Sequence, residues 1–554
     1  VADWKPKVAE MKARSGWPKG LHYLLALFVC GTTTSFAQSP DVDSWVRVSQ
    51  TYAMNKQPAE ALDAIERAFE LAPGSVDILR ARATLATWNG NYGRARESYE
   101  RLLKLLPGDH EAILNLARVA SWAGKTDAAV DAYTRYVRLE PDAADAWIEL
   151  ARTEGWRGNY SAALRGLDQY ESRFGSDERH AREKAAVLAR AGRPDEALDI
   201  LEPLLREHPD DYDLNVTRTV VLTALQRRRE AAASLATIRR LQPDTPETHS
   251  AERLYRTALA PVADPAMNVY SDSSTLTIQR VAPRAATTFA GGTTLAAGSQ
   301  HDWLAARQGS GLEQINGTEN ARHDEVWIGA AQQFGRIAVR AQIGQARTAV
   351  RDLTVYQVGA DLRPADGLLL VLERDAGFFV VSPRTIGLGI SQVGHRASLE
   401  WSPAIRWQVS ADIREQTLSD GNHRQEFTVS PRYGLARTGL VNLDLGVTVS
   451  QLRTATNYDY GYYDPALSEF YAVTAFPYFK VRESVGVGAS LAMGVQRDDF
   501  SPSFRPGGHA AIEAMFGIYS SWALKVTAAG TLNQRLGSGA FRGHTTGVTL
   551  IKRF

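Results

Sequence analysis

The chain has 554 residues, with 63 Lys+Arg against 62 Asp+Glu. That length is too great for one ordinary domain, and a net charge of +1 excludes a general nucleic-acid binder, which needs a strong basic excess to neutralise phosphates. The charge is unevenly spread. Residues 40–262 hold 31 basic and 35 acidic residues, whereas residues 263–554 hold 27 and 25, and only three of those 27 are lysines. This change in composition predicts a domain boundary near residue 262.

Residues 1–37 read as upstream residues followed by a secretory signal. Lys12, Arg14 and Lys19 form a basic stretch, and an apolar run follows from Leu21 to Val29. Ser35-Phe36-Ala37 then places small residues where cleavage would leave Gln38 first. The apolar run is shorter than the ~20 residues of a membrane-spanning helix. Cys30 is the only cysteine. Acylation there would want a small residue before it, and Val29 fits that poorly. Ordinary cleavage leaves a chain with no thiolate nucleophile, disulfide or zinc–thiolate site.

Residues 38–262 contain an internal repeat. Prolines recur at Pro73, Pro107, Pro141, Pro209 and Pro243, and Gly175 stands at the one missing position in this 34-residue series. Twelve residues before each stands an alanine: Ala61, Ala95, Ala129, Ala163, Ala197 and Ala231. A second small position recurs at Ser49, Ala83, Ala117, Ala151, Ala185 and Thr219, and a turn glycine at Gly90, Gly124, Gly158 and Gly192. Each unit reads as two helices that approach closely at the small positions, turn at glycine and stop before proline. One such pair cannot bury its apolar face alone, so six units spanning 42–245 predict an α-solenoid. The pattern resembles the tetratricopeptide repeat. Trp88, Trp122 and Trp156 each precede a turn glycine by two residues. Such a stripe packs between repeats or recognises a partner, and aromatics at helical spacing are more often core.

From 263 to 554 the period falls to two. Ile405, Trp407, Val409, Ala411 and Ile413 alternate with Arg406, Gln408, Ser410, Asp412 and Arg414. Val441, Leu443, Leu445, Val447 and Val449 alternate with Asn442, Asp444, Gly446, Thr448 and Ser450. Strands follow one another through turns such as Arg363–Gly367 and Ser419–Asn422 with no intervening helical pattern. A long open sheet would expose its edges, so an antiparallel transmembrane β-barrel is expected, apolar outside and polar inside. About 290 residues at roughly 18 per strand and turn give about 16 strands, with 14 the alternative. Trp401, Trp522 and Tyr519 are candidates for interfacial girdles. The segment Thr546–Phe554 ends in a phenylalanine on the same face as Leu550 and Val548. It resembles a barrel insertion signal, except that Lys552 stands where an apolar residue is usual.

Signal, repeats and barrel in this order resemble the outer-membrane exopolysaccharide exporters: the poly-N-acetylglucosamine and cellulose export porins and the shorter YaiO-type barrel family. Ala117–Gly124 and the aromatic-x-Pro segment Gly461–Tyr471 carry the resemblance. It implies a porin in the bacterial outer membrane, with outer-membrane lipid around the barrel, a polysaccharide chain inside it and periplasmic repeats that dock a protein partner. The alternation nominates Arg336, Arg340, Asp361, Arg363, Arg396, Glu400, Arg406, Asp412, Arg414, Glu426, Arg432 and Asp444 as lumen-lining residues. Their simpler role is to pair with one another and stiffen the barrel. Two other functions compete with export. One is a scaffold whose closed barrel only anchors the repeats. The other is a barrel-embedded hydrolase, for which His509 and His544 lack a Gly-x-Ser-x-Gly elbow. No phosphate loop, metal-spaced cluster, catalytic residue or cofactor motif is expected.

Overall fold

The computed structural model describes residues 40–289, 291–437, 440–535 and 539–554. The signal segment, Cys30 and the rest of residues 1–39 lie outside the described residues. The chain divides into two compact units, the second starting at residue 188.

Thirteen helices of tetratricopeptide type are described. They are α1 (Pro40–Met54), α2 (Pro58–Leu71), α3 (Val76–Trp88), α4 (Tyr92–Leu105), α5 (His110–Trp122), α6 (Thr126–Leu139), α7 (Ala144–Arg157), α8 (Tyr160–Phe174), α9 (Glu178–Arg190), α10 (Pro194–Glu207), α11 (Tyr212–Ala224), α12 (Arg228–Leu241) and α13 (Pro246–Leu259). The two series of small residues do what the spacing implies. All twelve side chains, Ala61 to Ala231 and Ser49 to Thr219, are fully buried. The turn glycines Gly90, Gly124, Gly158 and Gly192 adopt positive φ. In the first and last repeats the same position is held by Lys56 and Gln226, at φ 58° and 59°.

A further 34-residue series emerges at the helix starts. Ser75, Asp109, Asp177, Asp211 and Thr245 each accept a hydrogen bond from the backbone N–H three residues on. These are N-caps that satisfy otherwise orphaned donors. Ala143 occupies the corresponding place in the remaining repeat and makes no cap.

The strands begin at Val262. Strand β1 runs in two pieces, Val262–Ala263 and Ala266–Asp272, and β2 in two pieces, Thr277–Ala282 and Arg284–Thr288. Pro265 and Pro283 cause the interruptions, since neither has an N–H to give to the ladder. The remaining strands are β3 (Thr293–Ala305), β4 (Asn320–Phe334), β5 (Ile337–Thr348), β6 (Asp352–Ala365), β7 (Leu368–Phe378), β8 (Ser391–Ala404), β9 (Trp407–Leu418), β10 (His423–Arg437), β11 (Val441–Thr454), β12 (Ser468–Arg482), β13 (Val485–Asp498), β14 (Ser501–Phe516), β15 (Trp522–Arg535) and β16 (Gly539–Arg553). Each pairs antiparallel with its neighbours, and β16 closes on β1 through Arg553↔Val262 and Val548↔Met267. The result is a closed 16-strand barrel, the larger of the two counts expected. Among the described residues no helix is long and apolar enough to cross a membrane.

The two barrel ends differ. One end carries turns of two residues, at 335–336, 366–367, 405–406 and 483–484. The other carries long loops at 306–319, 379–390 and 455–467, the second holding a short helix, α14 (Pro383–Gly387). An even strand count returns the last strand to the turn end, where β1 begins.

The outer face is apolar. Val326, Ile328, Ile343, Val358, Leu372, Ile413, Val447, Val473, Leu491, Met493, Ile512 and Val548 are exposed on it. Exposed aromatics bracket this aliphatic band. Phe334, Trp401, Trp407, Phe479, Phe516 and Trp522 lie toward the turn end, and Trp303, Phe500 and Phe504 toward the loop end. Phe504 and Phe516 are twelve residues apart on β14. At ~3.4 Å per residue and a ~40° tilt, that separation is ~30 Å along the barrel axis, close to the ~25 Å apolar band of membrane barrels.

Candidate functional site: the barrel lumen and its cover

The inward face follows from the outward one. On β5 the exposed Ile337, Val339 and Ile343 alternate with Arg340 and Gln342, so the latter face the lumen. Arg340 pairs with Asp361 on β6 and with Glu373 on β7 at 3.0 Å. Arg396 on β8 pairs with Asp412 on β9 at 2.7 Å. Glu426 on β10 accepts from Arg424 at 3.0 Å. Arg432 on β10 donates to Gln408 at 3.0 Å, lies 3.9 Å from Asp444 on β11 and stacks over Phe476. Arg414 lies 3.9 Å from Asp375. Glu400 and Arg363 share the inward parity of their strands, near the turn end.

Two of the nominated residues sit elsewhere. Arg336 and Arg406 are not in strands but in the two-residue turns at 335–336 and 405–406. Simple alternation runs through a turn without registering it. Arg336 donates to the carbonyl of Pro364 at 2.9 Å and lies 3.4 Å from Asp195.

That contact belongs to a junction within the second unit. The carboxylate of Asp366, in the β6–β7 turn, accepts from the backbone N–H groups of Asp195 (3.1 Å) and Glu196 (2.7 Å). These are the first free donors of α10, whose own cap position, Arg193, supplies no side-chain bond. A carboxylate from the barrel therefore caps a helix of the repeats. Burial, then the neighbouring Asp366 carboxyl, pushes Asp195 above the usual carboxylate range.

The lumen also holds charged residues that the alternation does not nominate. Asp302 on β3 is fully buried. It accepts from Arg280 on β2 at 2.6 Å and bonds Nδ1 of His323 on β4 at 2.9 Å. Nε2 of His323 has no hydrogen-bond partner and lies 3.9 Å from Glu325. The alternation fails here for a physical reason. Near the loop end the outward face is charged too, with His301, Arg322 and Asp324 paired with one another, so polarity no longer separates the faces. Of the two histidines considered for catalysis, His509 shares the inward parity of Glu513 and lies beside Phe470, and His544 shares the outward parity of Val548. Trp88 and Trp122 are half-buried against the core of the first repeats, Trp122 also meeting Tyr92 at 5.9 Å. Trp156 is half-buried.

The loop 379–390 folds across the inside of the barrel. Phe378 and Ile386 pack on the inward-facing Leu304, Ala346 and Val355, and Phe379 packs with Ile390 and Leu418. Ser382 and Thr385 form a reciprocal capping box that starts α14. Arg384 ties this strap to both other long loops. Its Nε donates to the Glu313 carbonyl and its Nη1 to the Asp459 carbonyl, each at 3.0 Å. Its backbone N–H donates to Leu312 at 2.9 Å. At Gly461 (φ 78°) a Cβ would lie 2.7 Å from the Arg384 Cβ, so glycine lets the two loops touch. Tyr462 meets Phe379 edge-on, accepts from Asn422 and donates to Asp420. Burial pushes its hydroxyl pKa up.

Fold and lumen define a class: tetratricopeptide helix pairs followed by a closed antiparallel barrel, apolar outside and polar inside, as fits an outer-membrane barrel protein. Tetratricopeptide repeat family models match residues 76–119, 114–154 and 188–255. No match was found among curated protein sequences. Among solved structures the chain is similar to a bacterial polysaccharide outer membrane secretin, at 11% identity and TM-score 0.46, over 53% of this chain and 98% of that one. It is also similar to a tetratricopeptide repeat protein from Parabacteroides merdae, at 18% identity and TM-score 0.36, over 39% of this chain and 86% of that one. A third is YrrB, described as having an unusual peptide-binding site, at 14% identity and TM-score 0.24, over 38% and 92%.

Proposed function

We propose that the protein is an outer-membrane export porin for a polysaccharide. On this reading the barrel spans the membrane between its two aromatic girdles, the turn end faces the periplasm and the repeats there dock a protein partner. The observation that carries the reading is the lumen: charged and amide side chains from nine successive strands, β3 to β11, line a barrel whose outside is apolar. A polymer rich in hydroxyl groups slides along such a wall because many weak, interchangeable hydrogen bonds replace its hydration without holding it. The reading assigns no catalytic step, cofactor or metal to the chain. Deleting the gene should abolish secretion of the polymer. The full chain should restore it and residues 38–262 alone should not; normal secretion without the gene refutes the reading.

A second reading is favoured by the strap. A barrel roofed at its loop end serves as an anchor for repeats that bind a periplasmic protein. Steady ionic conductance in planar bilayers speaks against the anchor, and its absence in every condition, including after loosening of the strap, speaks for it.

A further inference from the structure

Beneath the strap lies a lumen cavity of about 390 Å³, roofed by Phe378 and Phe379, a size within the ~300–1,000 Å³ of small-molecule sites. Its walls carry an unusual concentration of amides. Gln300, Gln342, Gln357, Gln392 and Gln416 line it, each from a different strand of the run β3 to β9. Gln342 and Gln357 stand directly opposite each other across the β5–β6 pair. Several are held in place by side-chain hydrogen bonds. Gln300 donates to Asp302 at 2.8 Å, Gln392 donates to Asp375 at 3.1 Å, and Gln416 donates to Gln392. A primary amide has two donors and two lone pairs. One bond fixes its orientation and leaves the other positions to face the cavity.

Most of the charged groups around the cavity lie against one another, Glu325 being 3.9 Å from His323 Nε2. Glu373 is paired with Arg340, Asp302 with Arg280 and His323, and Asp375 lies near Arg414. Carboxylates and guanidinium groups both border the space, so no single sign dominates to attract an ionic polymer. The amide set donates and accepts equally well. That matches hydroxyl groups, which do both. The roof contributes enclosure rather than ring stacking, because Phe378 and Phe379 are each only 6% exposed.

We propose that this cavity is a subsite for an uncharged, hydroxyl-rich sugar unit, held by the glutamine amides under the strap. The proposal rests on the export reading and narrows its cargo to a neutral glycan. Isothermal titration on the full chain in detergent micelles tests it. The probes are three uncharged hexaoses (cello-, malto- and N-acetylchito-), one anionic oligogalacturonate and one cationic chitosan hexamer. At least one uncharged hexaose should bind ten-fold or more tightly than both charged probes. Gln342→Leu/Gln357→Leu should weaken it at least ten-fold. Gln342→Asn/Gln357→Asn, which keeps the amides but shortens their reach, should weaken it by less, and it serves alone if the leucine variant does not give the heat-modifiable gel band of a folded barrel. Charged probes that bind better than all three uncharged ones, binding by none, or affinity unchanged in the variants each overturn the subsite. A secretion assay separates this from the larger reading. Secretion that needs the gene, with no hexaose binding, removes the subsite and leaves export standing. Hexaose binding with secretion independent of the gene does the reverse.

Discussion

Arg384→Ala should unlatch the strap. Its side chain is only 14% exposed, and it donates to two backbone carbonyls, of Glu313 and Asp459, in two different loops. A hydrogen bond to a charged group contributes about 1.5–3 kcal/mol net. Two would give about 3–6 kcal/mol, and the lower end applies because both carbonyls regain water when the loops part. The ion pair with Asp459 adds little, since that carboxylate is 92% exposed and an exposed pair contributes about 0–1 kcal/mol. A loss of about 3 kcal/mol multiplies the population of opened strap on the order of 100-fold. Hydrogen exchange of the 379–390 amides, followed by mass spectrometry on the full chain in detergent, reads this directly. Protection should fall on the order of 100-fold in Arg384→Ala. It should fall by less in Arg384→Lys, because a single ammonium does not span both carbonyls. Single-channel conductance should rise in parallel. Unchanged exchange in Arg384→Ala would refute the latch.

Four other substitutions probe the helices. Ala143→Asp places a cap where the other repeats have one and should raise the thermal midpoint of the 222 nm signal, the gain being about 1 kcal/mol; no rise would mean that the helix start is satisfied by other means. Gln226→Gly removes a left-handed side chain at φ 59° and should stabilise by about 0.5–1 kcal/mol, the left-handed penalty less the entropy of glycine; a lower midpoint would contradict it. Asp366→Ala leaves the Asp195 and Glu196 N–H groups uncapped and should cost about 1–2 kcal/mol locally, seen as faster exchange at 195–197 without loss of the heat-modifiable barrel band. His180 is stacked on Tyr170, and burial lowers its pKa from 6.5. The folded state thus disfavours its proton, so stability should fall as pH drops through 6.5 toward the lower folded value; His180→Gln should flatten that part of the melting-temperature profile, and an identical slope in the variant would sink the assignment.

The repeats were legible because one physical requirement, close helix approach, forces small side chains at fixed places. Ala61 to Ala231 and their partners announce it every 34 residues. The caps obey the same period but vary among Ser, Asp and Thr, and Ala143 breaks the series, so their register shows only once the helix starts are known. The barrel strands were legible where the outer face is apolar, as in Trp407–Arg414. They were not legible in residues 262–335, where Pro265 and Pro283 split two strands and where His301, Arg322 and Asp324 make the outward face polar above the apolar band. For that reason alternation does not single out Arg280, Asp302 and His323. Alternation alone assigns Arg336 and Arg406 to the lumen because it does not mark a two-residue turn. The strap is harder still. Nothing periodic identifies 379–390 as a segment that folds inward; its fit depends on Arg384 meeting carbonyls more than seventy residues away in either direction.

On the proposed export reading, the pairing of the lumen charges and the latching of the strap bear on the same question, how a polymer moves without being held. An unpaired ladder of one sign would bind an opposite polymer at every rung and repel a like one. In pairs such as Arg396–Asp412, at 2.7 Å, each charge already has its partner, and the barrier a sliding neutral chain meets is the exchange of one amide or water contact for another. Such contacts are weak and numerous, which is the condition for conduction. The strap sets the second condition. Were the latch's ~3 kcal/mol the whole net preference, the loop end would stand open in roughly one molecule in a hundred. A chain arriving beneath Phe378 and Phe379 shifts that balance only by binding the open form better than the closed one by a similar amount. That is within reach of a few additional hydrogen bonds at about 1 kcal/mol each. A latch several times stronger would leave a plug that cargo alone does not lift, and a repeat-bound partner would then have to supply the difference.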